Sequence, residues 1–334
     1  MSRSPSWLRQ RLRPGSGWFR RWLPWAVVGA TLVVGLLAPL LANEVPLVAS
    51  VDGVLRFPAF ADLFGSAPPG PEDLSWKQWW SRLDVGESES WAWMPPWPYG
   101  PVETSADRFY EKPCLAHPFG SDDTGRDVLA RVVHGANTAV LLGLPSVLAA
   151  ALIGTALGAW AGFARGAADV FVQRLTELFL CFPNLLFLLF AAAFFGSSAV
   201  GLTIVMTALF WISFARIVRG EVLSLRERDF VHVALGLGVS RLRVVVRHIL
   251  PQLLGQIGVT IAFCLAAAIV AESTLSFLGL GPTADSSWGV MLRQGNELAA
   301  AGMWHLWLFP AVAIVAVVVS CHVLADRLRR CRWR

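Results

Sequence analysis

Three carboxylates stand close together in one short stretch, Asp122, Asp123 and Asp127 in GSDDTGRD. Oxygen donors so spaced can hold a divalent cation, but the same residues also read as a helix start. Ser121 or Asp122 suits an N-cap, acids suit the first helical turn, and Arg126 stands three and four residues on for local ion pairs. The helix reading is preferred, and no metal site is expected. No His or Ser stands at catalytic spacing with the cluster, which counts against a membrane-bound enzyme. Glu272 is the other notable acid, deep in an apolar run where an unpaired carboxylate is costly. It either lies on a transport pathway or accepts hydrogen bonds from a neighbouring helix, the second being preferred. Cys114, Cys181, Cys264, Cys321 and Cys331 show no C-x-x-C and no Cys/His pair at metal-ligand spacing. A phosphate-binding loop needs lysine after a Gly-rich turn. The only lysines, Lys77 and Lys112, do not follow glycine. No catalytic residues and no cofactor are expected in this chain.

The elements that carry these residues are membrane spans. Of 334 residues 55% are hydrophobic and 15% charged, with mean hydropathy +0.55, far from the balance of an ordinary soluble domain. Apolar runs of about 20 residues, the length that crosses a hydrocarbon core of about 30 Å, fall at Trp22–Ala42, Ala139–Gly162, Val170–Phe195, Val200–Ile217, Leu253–Phe277 and Leu306–Leu324. The expected fold is an all-α polytopic membrane protein with six transmembrane helices. The third span carries Arg174 and Glu177 in its first turns, spaced to pair. The first is expected to be an anchor rather than a cleaved signal, because its apolar run is long and no A-x-A site closes it.

Basic residues set the orientation. Six arginines precede the first span, seven lie in Arg216–Pro251 and five follow Ala325, whereas Asn43–Ala136 holds seven basic residues against fourteen acidic ones. Both termini are therefore expected inside. The expected organisation is a basic cytoplasmic tail (1–21), a first transmembrane helix (22–42), a periplasmic insertion (43–136), a five-span core (137–325) with a cytoplasmic loop at about 218–251, and a second basic tail (326–334). The net charge of +5 follows from this topology and requires no nucleic acid.

Within the insertion, Trp76, Trp79, Trp80, Trp91, Trp93 and Trp97 suit either an interfacial aromatic belt or the core of a small folded cap. Gly154, Gly158 and Gly162 recur every four residues, a stripe that admits close approach of another helix, from this chain or another. Gly258, Ala262, Ala266 and Ala267 continue the theme in the fifth span. Pro145, Pro183 and Pro310 interrupt spans two, three and six.

The loop at Arg216–Pro251 is the most informative stretch. Phe230, Val233, Ala234 and Leu237 recur at helical spacing, giving a short helix with one apolar face. Gly238 follows as a C-cap, Ser240 can N-cap a second helix over Leu242–Leu250, and Pro251 ends or kinks it. A short amphipathic helix cannot bury its apolar face alone, so it lies on lipid or enters a partner's groove.

FVHVALGLGVSRLRVVVRHILP resembles the coupling loop of ATP-binding-cassette importer permeases, written E-A-A-x-x-x-G, nine residues, then I-x-L-P. The counterparts are His232, Val233, Ala234 and Gly238, then Ile249, Leu250 and Pro251. His232 and Val233 replace the usual Glu and Ala. GSDDTGRDVLARVVHGA and ESTLSFLGLGPTADSSWGVML resemble two further signatures of the oligopeptide/dipeptide permeases, and together the three cover about Leu115 to Arg334. The Trp-rich insertion resembles the microcin C permease subgroup. The resemblance implies a type I importer permease of the bacterial inner membrane, paired with a second permease, two ATPase subunits and a periplasmic substrate-binding protein. Phe230, His232, Val233, Ala234, Leu237, Gly238, Ile249, Leu250 and Pro251 would form the ATPase contact, and Glu272 is a candidate pathway residue. The alternative is a gradient-driven secondary transporter or channel, against which no internal repeat is visible and Glu272 is the sole deep acid.

Overall fold

A computed structural model describes residues 16–51, 53–62, 75–82, 90–195, 198–281 and 286–331. Arg3, Arg9, Arg11, Arg13, Arg332 and Arg334 lie outside the described residues. Five helices are long and apolar enough to cross a membrane: α1 (Ser16–Leu41), α4 (Val128–Ala164), α7 (Ala199–Arg226), α10 (Leu250–Phe277) and α12 (Trp304–Cys331). The third expected span is instead a bent pair, α5 (Ala167–Leu180) and α6 (Asn184–Phe195), meeting at 80° across Pro183. Proline has no N–H and its ring clashes with the preceding turn, which permits the break at Pro183. Pro145 and Pro310, by contrast, lie inside continuous helices. Counting the bent pair as one span gives six.

The short elements lie between these spans. In the segment after α1 are β1 (Val48–Val51), β2 (Val54–Arg56), α2 (Pro58–Asp62), α3 (Trp76–Arg82) and β3 (Trp91–Trp93). The loop after α7 holds α8 (Asp229–Gly236) and α9 (Arg241–Val244), and α11 (Trp288–Glu297) precedes α12.

The departure from an all-α chain is a three-stranded antiparallel sheet in the insertion, order β2-β1-β3, with Ala49 opposite Arg56 on one side and Ala92 on the other. Trp76 and Trp79 stack edge to face at 5.7 Å on Val45, Ala49 and Val51 and form this cap's core. Trp80, Trp91 and Trp93 are exposed, while Trp97 is held by a carboxylate described below. Two of the six tryptophans therefore build the core of a small folded cap.

Among the spans, α4 and α7 pack closest, and the glycine stripe is the reason. A Cβ at Gly158 would sit 2.5 Å from Ala215 O, and one at Gly162 2.9 Å from Arg219 O; one at Gly154 would overlap Trp211 O. The neighbour left open by the sequence is thus α7 of the same chain. Phe214, Ala215 and Val218 lie fully buried along this seam. Helices α1, α10 and α12 complete the bundle around α4, with α11 set across its end.

These contacts make a direct expectation. Gly158→Val forces a side chain into backbone and should cost about 1–3 kcal/mol or more, lowering the thermal midpoint of the detergent-solubilised protein. Gly258→Ala, where an added Cβ meets no atom within 4 Å, should leave the midpoint nearly unchanged. Equal midpoints for the two variants would contradict the seam.

Candidate functional site

The loop between α7 and α10 begins later than the expected 218, because α7 continues to Arg226. Its base is clamped: Arg226 Nη1 donates to Phe163 O at 2.5 Å, and Arg165 pairs with Glu227. α8 follows with the expected apolar residues divided between two faces. Val231, fully buried, anchors α8 on Val218, Val222 and Val244, and Ala234 and Leu235 pack beside it. Phe230, Val233 and Leu237 point outward, at 39%, 60% and 79% exposure. Sequence spacing picked out the outward stripe and missed Val231, whose signal was its offset of three from Ala234. Gly238 then turns the chain at φ +80°, a left-handed conformation that costs other residues about 1–2 kcal/mol. Its N–H and that of Val239 close on Leu235 O and Ala234 O.

Ser240 precedes α9 with extended backbone, but its side chain caps no N–H. Pro251 does not end the segment as expected. A π-helical turn, Val245–Ile249, leads directly into α10, with Leu250 N–H donating five residues back to Val245 O. The wider turn accommodates a proline that cannot donate and whose ring crowds the preceding carbonyl. Ile249 is buried, Leu250 is half-buried and Pro251 is exposed. Leu242 and Val246 extend the exposed apolar strip, while His232 is exposed beside it on α8.

At the other end of the bundle the aspartate cluster forms a knot. Asp127, not Ser121 or Asp122, caps α4: its Oδ1 accepts from Ala130 N–H at 2.7 Å and from Trp97 Nε1–H at 3.0 Å. His117 Nδ1 lies 2.6 Å from Asp127 Oδ2. Asp122 instead folds its own loop, accepting from the N–H groups of Thr124 and Arg126 at 2.9 Å each. It also pairs with Arg126 at 2.7 Å and with the buried Arg131 at 2.5 Å, and Arg131 continues to Gln294 Oε1 at 2.8 Å on α11. Asp123 reaches Arg126 at 3.8 Å, so the local ion pairs form as expected. Among the described residues no group of three or more His, Cys, Asp or Glu side chains is placed to hold a metal ion.

Glu272 is buried and bound by hydroxyls: Ser276 and Ser287 donate to its Oε1 at 2.7 Å each, and Ser273 lies at 3.4 Å from Oε2. Ser287 also accepts from Gly289 N–H at the start of α11, so the carboxylate ties α10 to α11.

A bundle with a folded loop at one end and a locked polar knot at the other fits a transport subunit, and comparison with known proteins agrees. Residues 154–331 match the family described as the binding-protein-dependent transport system inner membrane component. The chain belongs to this family. It is 36% identical over 230 residues to a peptide transport system permease protein of Brucella suis, covering 69% of this chain and 77% of the relative. The oligopeptide transport system permease protein OppC of Haemophilus influenzae is 34% identical over 241 residues (71% and 77%). The dipeptide transport system permease protein DppC of Bacillus subtilis is 34% identical over 233 (70% and 73%). As an inner-membrane transport component the chain is a multi-pass membrane protein. Its family match begins at Gly154 and includes both glycine-seamed α7 and the α8 loop.

The knot yields a pH expectation. Burial alone would raise the Asp122 carboxyl, but Arg131 and Arg126, with the N–H groups of Arg126 and Thr124, hold it below the ordinary carboxylate range. A depressed value stabilises the fold above the unfolded group's titration near pH 4 and is lost as pH falls through the folded value. Asp122→Asn leaves Arg131 buried without its counter-charge and should cost about 3–5 kcal/mol. The paired change Asp122→Asn with Arg131→Gln keeps an oxygen for the N–H groups of Thr124 and Arg126 while removing the buried charge, and should cost less than Asp122→Asn alone. Thermal unfolding followed by size-exclusion recovery decides it; a double variant as damaged as the single one would contradict a charge-pairing role.

Proposed function

We propose that this chain is one of two permease subunits of an ATP-driven importer of peptides or peptide-like compounds, in which α8 docks an ATPase subunit at the cytoplasmic face. The observation that carries the reading is α8 itself: a short helix seated rigidly through Val231 that presents Phe230, Val233 and Leu237 to a partner. The names of the relatives support the peptide class. The basic count of this loop and of both tails supports its cytoplasmic location. The Trp-rich insertion, by its resemblance, supports cargo of the microcin C kind.

In this reading a periplasmic binding protein delivers solute to the insertion side. The second permease and bilayer lipid cover the exposed apolar flanks, and two ATPase subunits supply hydrolysis. Closure of the ATPases moves α8, and because Val231, Val244, Ile249 and Leu253 share one buried cluster with Val218 and Val222, that motion passes to α7 and α10 together. His232 stands where the resembled loops carry Glu, so docking relies on the apolar residues more than on a charge. The gradient-driven alternative leaned on a deep acid; Glu272 engaged by three serines offers it little.

Two substitutions at one position test the coupling. Gly238→Val strains a left-handed turn and should reduce uptake at least tenfold while the complex still inserts. Gly238→Asn, tolerated at positive φ and with open space around an added Cβ, should retain most uptake. Affinity purification from native membranes, with mass spectrometry, should recover a second permease and P-loop ATPases with the chain. Recovery of the chain alone after cross-linking, or equal uptake by both variants and the parent, would overturn the reading.

A further inference from the structure

α5 and α7 enclose a cleft of about 420 Å³ whose polar wall is Gln173, Thr176, Glu177, Arg216 and Arg219. Its charges divide unevenly. Arg219 closes on Asp169, with Nη2 2.9 Å from Oδ2. Glu177 closes on Arg174 at 2.7 Å. Arg216 is exposed on the cleft wall and makes no hydrogen bond or ion pair with any described residue. It stands ten residues before Arg226, about 15 Å along α7 from the end that carries α8. Across the α4–α7 seam it is level with Gly158, whose neighbour is Ala215. It closes the apolar run Val200–Ile217 on its basic side, and its guanidinium lines the cleft without a partner among the described residues. The cleft opens beside it, and the two closed pairs leave its wall with one positive charge in excess.

We propose that this cleft is a solute-binding station in which Arg216 holds the carboxylate of the transported compound on its way through the bundle; this rests on the importer reading above. The ligand chemistry follows from the residue. A planar guanidinium takes a carboxylate through two parallel hydrogen bonds, and the free C-terminus of a short peptide presents that group. The cleft volume is at the low end of sites that enclose a small molecule. Arg219 is the neighbouring cation but is already neutralised, so a single anionic group, not a polyanion, matches the site.

The test uses the assembled importer in proteoliposomes with saturating binding protein. Uptake of labelled trialanine and of its C-terminal amide is compared for the parent, Arg216→Gln and Arg216→Lys. Loss of a charge-assisted hydrogen bond should cut trialanine uptake per ATP about tenfold in Arg216→Gln. Arg216→Lys should recover a substantial part of it, and the slower uptake of the amide should not change in either variant. Microscale thermophoresis of the complex without binding protein should show the same loss of preference for trialanine over its amide. Equal effects on both peptides, no effect on either, or loss of the second permease on purification would overturn the proposal, the last by making Arg216 an assembly contact. Failure of the importer reading is distinguishable. It appears as a parent complex that takes up neither peptide, while thermophoresis still reads whether Arg216 sets a preference for the carboxylate.

Discussion

The close approach of α4 and α7 is the contact on which the rest of this bundle depends. No hydrophobic force drives helices together inside lipid, so association there rests on packing and on backbone proximity. Gly154, Gly158 and Gly162 supply that proximity by placing the surface of α4 against the carbonyls of Trp211, Ala215 and Arg219. What α7 then carries is fixed by its register on α4. Phe214, Val218 and Val222 turn inward, Arg216 turns to the cleft with α5, and Arg226 reaches the last turn of α4. A slip of α7 by one residue would rotate all of these together, since neighbours on a helix stand about 100° apart.

The two ends of the bundle solve different problems. At the insertion end, buried charges are matched one by one: Asp122 with Arg126 and Arg131, Asp127 with His117 and Trp97, Glu272 with serines. Asp127 with Trp97 joins the insertion to α4, Arg131 with Gln294 joins α4 to α11, and Glu272 with Ser287 joins α10 to the start of α11. Buried pairs contribute little net stability against apolar substitutes but penalise any arrangement that separates them. That property suits an end that must hold one geometry. At the α8 end the anchoring is apolar and shallow, and the outward side chains are left uncovered.

Much of this was legible in the sequence. Span number, the amphipathic loop helix, the Gly238 turn and the Arg126 ion pairs follow from apolar length, helical spacing and the chemistry of single residues. What escaped did so for identifiable reasons. Asp127 took the cap position from Ser121 and Asp122 because Asp122 was drawn into a tight loop by the N–H groups of Thr124 and Arg126 and by the distant Arg131. Nothing in local spacing announces a partner nine residues on in another element. The bend at Pro183 was visible as a proline but not as a break, since Pro145 and Pro310 stay within helices and only surroundings separate the cases. Pro251 was expected to interrupt and instead was absorbed by a π turn, a choice made by the burial of Ile249 and Leu253 on either side. The cap sheet gave almost no signal, its strands being only three or four residues long.

The exposed strip of α8 and α9 shows why a rigid seat and an apolar face belong together. Burying a large apolar side chain stabilises by roughly 1.5–3 kcal/mol, so Phe230, Val233, Leu237 and Leu242 offer several kcal/mol to a partner that covers them. Association and ordering consume a comparable amount, which leaves a balance sensitive to how much the strip must reorganise. Val231 at zero exposure, with Val244 and Ile249 beside it, keeps that reorganisation small. The same anchoring means that a displacement of the strip cannot be absorbed by the loop alone. It must move the ends of α7 and α10, and α7 carries Arg216 and one wall of the cleft. A partner holding only these side chains would thereby act on that cleft some 15 Å along the helix through packing.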